Sequence, residues 1–135
     1  MTTRNLYFID SAVTDYQSLL SQLPAESEWY LLDKSRDGIG QIADIVSRYH
    51  DLDAIQIISH GSPGTLYLGS SVVNNANLAD YNNQLAAIGA SLTATGDIFL
   101  YGCDVAAGDA GQRFVNDLAV ITGADVAAKI GRAHV

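Results

Sequence analysis

The chain holds a single cysteine, Cys103, so it forms no intrachain disulfide and no cysteine-rich zinc site. Redox compartment is left open on that count. Lys and Arg together number only 7, against 15 Asp and Glu, for a net charge of −8. No basic stripe exists to hold a phosphate backbone, which argues against nucleic acid as a partner. Acidity on this scale mostly means solubility. No apolar run approaches the roughly 20 residues that cross a bilayer, so no membrane partner is expected. The opening segment also lacks a basic stretch followed by an apolar one, and no cleavable signal peptide is expected. What remains is globular in character: 48% hydrophobic against 16% charged, which is not the composition of a disordered chain. At 135 residues, without repeats, linkers or low-complexity segments, it reads as one domain.

Short apolar runs alternate with helical patterns along it. Leu6–Asp10 and Trp29–Asp33 read as the first two strands. Between them, Thr14 or Asp15 caps a helix through about Leu23, with Leu19, Leu20 and Leu23 on one face and Pro24 as its stop. Ile39, Ile42, Ala43, Ile45, Val46 and Tyr49 recur with the 3.6-residue period of a second helix behind Gly38 and Gly40. A third strand runs from Ala54 to Ser59. Gly61–Gly64 is turn chemistry, and Thr65–Val73 reads as a hairpin turning at Gly69-Ser70. Asn74–Leu92 is expected to be a third helix capped by Asn77, with Leu78, Tyr81, Leu85 and Ile88 on one stripe. The fourth strand is Ile98–Gly102. A fourth helix from Asp109 or Ala110 carries Phe114, Val115, Leu118, Ala119 and Ile121 and ends at Gly123. Ala124–Ala128 begins a fifth strand.

Nearly all-apolar strands alternating with helices predict an α/β fold, a three-layer αβα sandwich on a mainly parallel sheet. Right-handed crossovers and short connections favour the strand order 2-1-3-4, with the fifth strand beyond the fourth. The domain is assigned to residues 1–128. Residues 129–135 read as a tail of different composition, of the kind a vector appends to a truncated domain. With the fifth strand barely begun, an exposed apolar sheet edge is expected, and such edges recruit another chain. A homodimer through that edge follows as an expectation.

His60 and Cys103 close the third and fourth apolar runs, and the carboxyl ends of parallel strands form the ligand crevice of such sheets. A cysteine attacks as thiolate, and a histidine can take its proton and later give it to a leaving amine. Neighbouring strands lie about 4.8 Å apart, so side chains at matching ends are within reach of one another. Gly61 and Gly102 flank the pair, and glycine lets backbone N–H groups approach an oxyanion closely. Asp104 and Asp109 act against the thiolate by charge. Cys103 and His60 also read as a small buried hydrophobe and a polar cap on a turn. Other polar groups offer less. His50 is a solvated helix end, and Asp51 and Asp53 supply too few oxygens for a calcium loop. Gly38-Ile39-Gly40 lacks the third glycine of a dinucleotide loop, and Ser59 and Ser62 have no nucleophile elbow. No metal or cofactor is expected.

An apolar strand ending in His60-Gly61, followed by one ending in Gly102-Cys103, resembles the caspase-like (clan CD) cysteine peptidases, and the order of elements fits from Leu6 to Ala128. More specifically, Leu6–Asp10, Ile58–Ser62 and Leu100–Ala106 resemble a bacterial domain found near the N-termini of very large surface adhesins with cadherin-like or RTX-type repeats. The resemblance implies a caspase-like fold and a self-processing cysteine peptidase in an exported or cell-surface protein, acting on polypeptide, its own parent chain included. It carries over His60 and Cys103 as the dyad, and the amides of Gly61 and Cys103 as the oxyanion hole. It also implies pocket-building segments after the fifth strand, so the 135-residue chain is expected to be a weak peptidase by itself. The alternative from another class is a non-catalytic interaction module of an adhesin that keeps the fold. A weaker one is a flavodoxin-like ligand-binding domain.

Overall fold

The computed structural model describes residues 4–13, 16–23, 27–101 and 104–129. Its centre is a five-stranded parallel sheet made of β1 (Asn5–Asp10), β2 (Glu28–Leu32), β3 (Leu52–Ile58), β7 (Leu92–Tyr101) and β8 (Asp125–Lys129). The order is β2-β1-β3-β7-β8, the arrangement that chain connectivity predicts. Three short strands, β4 (His60–Ser62), β5 (Thr65–Leu68) and β6 (Ser71–Asn74), form a separate antiparallel meander. It stands beyond the carboxyl end of β3.

Helices cover both faces. On one side α2 (Gly38–Val46), α3 (Asn82–Ala90) and α4 (Gly108–Thr122) lie over the sheet, with α3 between the other two. Their apolar stripes (Ile39, Ile42 and Val46; Leu85 and Ile88; Phe114 and Leu118) meet Leu6, Phe8, Ile55, Ile57, Ile98 and Leu100 in the main core. On the other side α1 (Tyr16–Gln22) sends Tyr16 and Leu20 against Tyr7, Ile9 and Ile58. The result is the αβα sandwich.

Two expectations need correction. The helix expected from Asn74 begins only at Leu78, as a single 3₁₀ turn (Leu78–Tyr81) that leads into α3. Asn74 and Asn77 divert the chain. The Asn77 side chain accepts the Asn74 N–H at 2.9 Å and donates to the Val72 carbonyl at 2.6 Å, so it satisfies a turn instead of capping a helix. The fourth predicted strand is longer than expected: β7 starts at Leu92, pairs with Leu52, and bulges before Asp97 resumes regular pairing with Ala54. Gly96 is buried there, where only a residue without a side chain fits beneath Leu92.

Candidate functional site

The carboxyl ends of β1, β3 and β7 converge on one edge of the sheet. Ile9 pairs with Ile58, and Ile58 with Tyr101, so the three strands end level. The Ser59 N–H donates to the Tyr101 carbonyl at 2.9 Å, extending the ladder by one step past β3. His60 follows in the chain and opens the meander. Tyr101 precedes Cys103 by two residues, as Ile58 precedes His60. Gly102 and Cys103 themselves lie outside the described residues, as do Thr14, Asp15, Pro24 and residues 130–135 of the expected 129–135 tail, whose first residue, Lys129, ends β8 paired with Tyr101.

His60 is exposed, and Gly61 beside it is half-buried. Across the meander His60 pairs with Tyr67, and Tyr67 with Val72. Directly opposed residues of an antiparallel sheet share a face, so these three make one row. Tyr67 is 40% and Val72 46% exposed, whereas Leu66, Leu68 and Val73 on the reverse face are buried in the core. The histidine therefore sits at the end of an open apolar ledge while the strands beneath it are anchored.

One hydrogen bond holds the His60 ring. Its Nε2 lies 2.9 Å from the carbonyl oxygen of Ala12, in the turn after β1. A carbonyl oxygen only accepts hydrogen bonds, so in the neutral ring Nε2 carries the proton and Nδ1 keeps its lone pair. This is the tautomer of a base with its acceptor nitrogen available.

The turn that supplies the carbonyl is set by Asp10, which sequence reading does not single out. Asp10 closes β1, is only 2% exposed, and has each carboxylate oxygen on a backbone N–H. Oδ1 accepts from Ala12 and Oδ2 from Gly69, both at 2.8 Å. The one available signal is an acidic residue closing the apolar run Leu6–Ile9.

The segment after Cys103 is fastened to the same region. The Gly64 N–H donates to the Val105 carbonyl at 2.9 Å, and Val105 is buried. Asp104 takes a left-handed backbone, with φ of 59°. Asp104 and Asp109 are both exposed. His50 is likewise exposed. Among the described residues, no group of three His, Cys, Asp or Glu is placed to hold a metal ion, and no helix is long and apolar enough to cross a membrane.

A family model described as a domain of unknown function (DUF4347) matches residues 6–133. No curated protein and no solved structure matches the chain.

Proposed function

The chain belongs to the DUF4347 family, and we propose that it works there as a caspase-like cysteine peptidase domain with Cys103 as nucleophile and His60 as general base. Its substrate is polypeptide, in the first place its own parent chain, and the parent is an exported or cell-surface protein of the adhesin type. The observation that carries this reading is the His60 ring: exposed beside the strand ends, fixed through Nε2 to the Ala12 carbonyl, with Nδ1 left to accept a proton. The matched spacing of His60 and Cys103 beyond the paired residues Ile58 and Tyr101 supports it.

In this reading Nδ1 of His60 takes the proton from the Cys103 Sγ, and the thiolate adds to the scissile carbonyl carbon. The N–H groups of Gly61 and Cys103 receive the oxyanion. Collapse breaks the C–N bond, and the proton held on His60 passes to the leaving amine. Water then attacks the thioester, releasing the new carboxyl terminus and restoring the thiol.

A lone cysteine makes the test direct, because alkylation followed by intact mass reads only Cys103. At neutral pH the wild-type rate should exceed that of His60→Ala by roughly tenfold or more, since a histidine within reach of the thiol raises its thiolate fraction. Equal rates in the two proteins would remove the dyad and leave a non-catalytic module. Mass analysis of the parent chain, wild type against Cys103→Ala, should show cleavage in the first only.

A further inference from the structure

Asp10 does more than end a strand. Its side-chain Oδ1 holds the N–H of Ala12, and its own main-chain carbonyl accepts the N–H of Val13 at 3.0 Å. The Val13 N–H and the Ala12 carbonyl belong to one trans peptide unit and point in opposite directions. Drawing that N–H back to Asp10 turns the Ala12 carbonyl outward, where His60 Nε2 meets it at 2.9 Å. The other carboxylate oxygen, Oδ2, reaches 59 residues along the chain to the Gly69 N–H in the β5–β6 turn. That turn continues β5, whose Tyr67 pairs directly with His60.

One carboxylate thus grips both the acceptor of the His60 ring and the hairpin against which the His60 backbone is laid. Burial at 2% exposure is costly for a carboxylate, and among the described residues no cation forms an ion pair with it. Its compensation comes from the two N–H groups. A strand end with only a packing role would be served by an apolar residue, as Leu32 ends β2.

From this we infer that Asp10 is a positioning residue for His60, setting the tautomer and orientation of the ring through the Ala12 turn. The assignment rests on the reading of His60 as a base. An Asn at this position keeps the shape but presents an NH₂ group to one of the two N–H donors, so one grip is lost.

Nitrogen-detected NMR of the His60 ring tests the assignment without using Cys103 or any substrate. Wild type should favour the Nε2–H tautomer by about three- to tenfold over an unconstrained imidazole, the factor that one ordinary hydrogen bond supplies. Asp10→Asn should lose most of that bias. Asp53→Asn, at the opposite end of the sheet where Asp53 holds the Arg4 N–H, should keep it. An unchanged tautomer ratio in folded Asp10→Asn overturns the assignment.

Should Asp10→Asn fail to fold, wild type supplies a second reading. Protonating His60 strengthens its Nε2–H as a donor, so the Ala12, Val13 and Gly69 amide signals should titrate with the midpoint of the His60 ring while Arg4 stays still. Stationary Ala12 and Gly69 signals overturn the assignment. The two failures separate: an inert Cys103 with these responses present removes the peptidase and leaves the tether, whereas His60-dependent alkylation without them removes only the role of Asp10.

Discussion

Gly69 is where the Asp10 tether can be stressed from its far end. It holds a left-handed backbone, with φ of +59°, and a Cβ built there would stand 2.1 Å from the Arg36 carbonyl oxygen and 2.9 Å from the Gly38 nitrogen. Both are main-chain atoms and cannot swing aside. Gly69→Ala therefore meets three costs. The left-handed conformation costs a non-glycine residue about 1–2 kcal/mol. Crowding against backbone adds about 1–3 kcal/mol. Relief requires Gly69 to back away, which loosens its N–H from the buried Asp10 carboxylate, a charge-assisted bond of about 1.5–3 kcal/mol. A loss of about 4–8 kcal/mol is expected from these terms. Gly123, the C-cap of α4, isolates the first of them. Its φ is +73°, yet nothing lies within 4 Å of the added carbon, so Gly123→Ala should cost only about 1–2 kcal/mol. Urea denaturation followed by far-ultraviolet circular dichroism measures both. With a urea slope of about 2 kcal/mol per molar, the Gly69→Ala midpoint should fall roughly 2 M or more below wild type. Losses that agree within about 1 kcal/mol would refute the reasoning, because strain alone would then account for Gly69.

Further outcomes follow from the core and the tyrosines. Phe114 is fully buried where α4 meets the sheet, so Phe114→Ala should cost about 3–5 kcal/mol in the same titration; a loss below about 1 kcal/mol would mean that α4 does not pack as described. Tyr49 is pushed up to about 12, first by burial and then by the Tyr30 hydroxyl 2.6 Å away, and burial also raises Tyr7 and Tyr101. Folding favours these phenols in the neutral form, so their contribution is complete below the ordinary value of 10.0 and is lost at higher pH, that of Tyr49 as pH climbs through about 12. Stability measured across that window should fall, and tyrosinate absorbance should show Tyr49 ionising earlier in Tyr30→Phe. An unshifted Tyr49 in that variant would exclude the hydroxyl contact.

Much of the framework is legible in the chain because the strands of a parallel sheet covered on both faces must be apolar throughout. Leu6–Ile9, Ala54–Ile58 with Gln56 as its one polar member, and Ile98–Leu100 announce themselves this way, and crossover handedness orders them. Helix periodicity likewise identifies Ile39, Ile42 and Val46 as an inward face, and Gly123 as the end of α4. The start of β7 and the delayed α3 escape this reading. Both depend on contacts that outrank local pattern: Leu92 pairs with Leu52 forty residues back, and Asn77 spends its side chain on Val72.

Two similar stretches show where sequence reading stops. Tyr7-Phe8-Ile9-Asp10 and Tyr30-Leu31-Leu32-Asp33 are both apolar and both end in aspartate. By itself the sequence determined that each is a strand with a polar end. It also determined that His60 follows another such strand, although the turn expected after it proves to be the short strand β4. Sheet order decided the rest. β1 is interior, flanked by β2 and β3, whereas β2 is an edge with one neighbour. Tyr7 and Ile9 are therefore buried while their partners Trp29 and Leu31 are 44% and 40% exposed on the same face. For the same reason Asp33 remains in water, bonded to nearby Ser35, while Asp10 is enclosed and must find N–H partners across the fold. Burial forces a carboxylate to be satisfied by whatever backbone the tertiary structure brings to it, and here that backbone is the turn that orients His60.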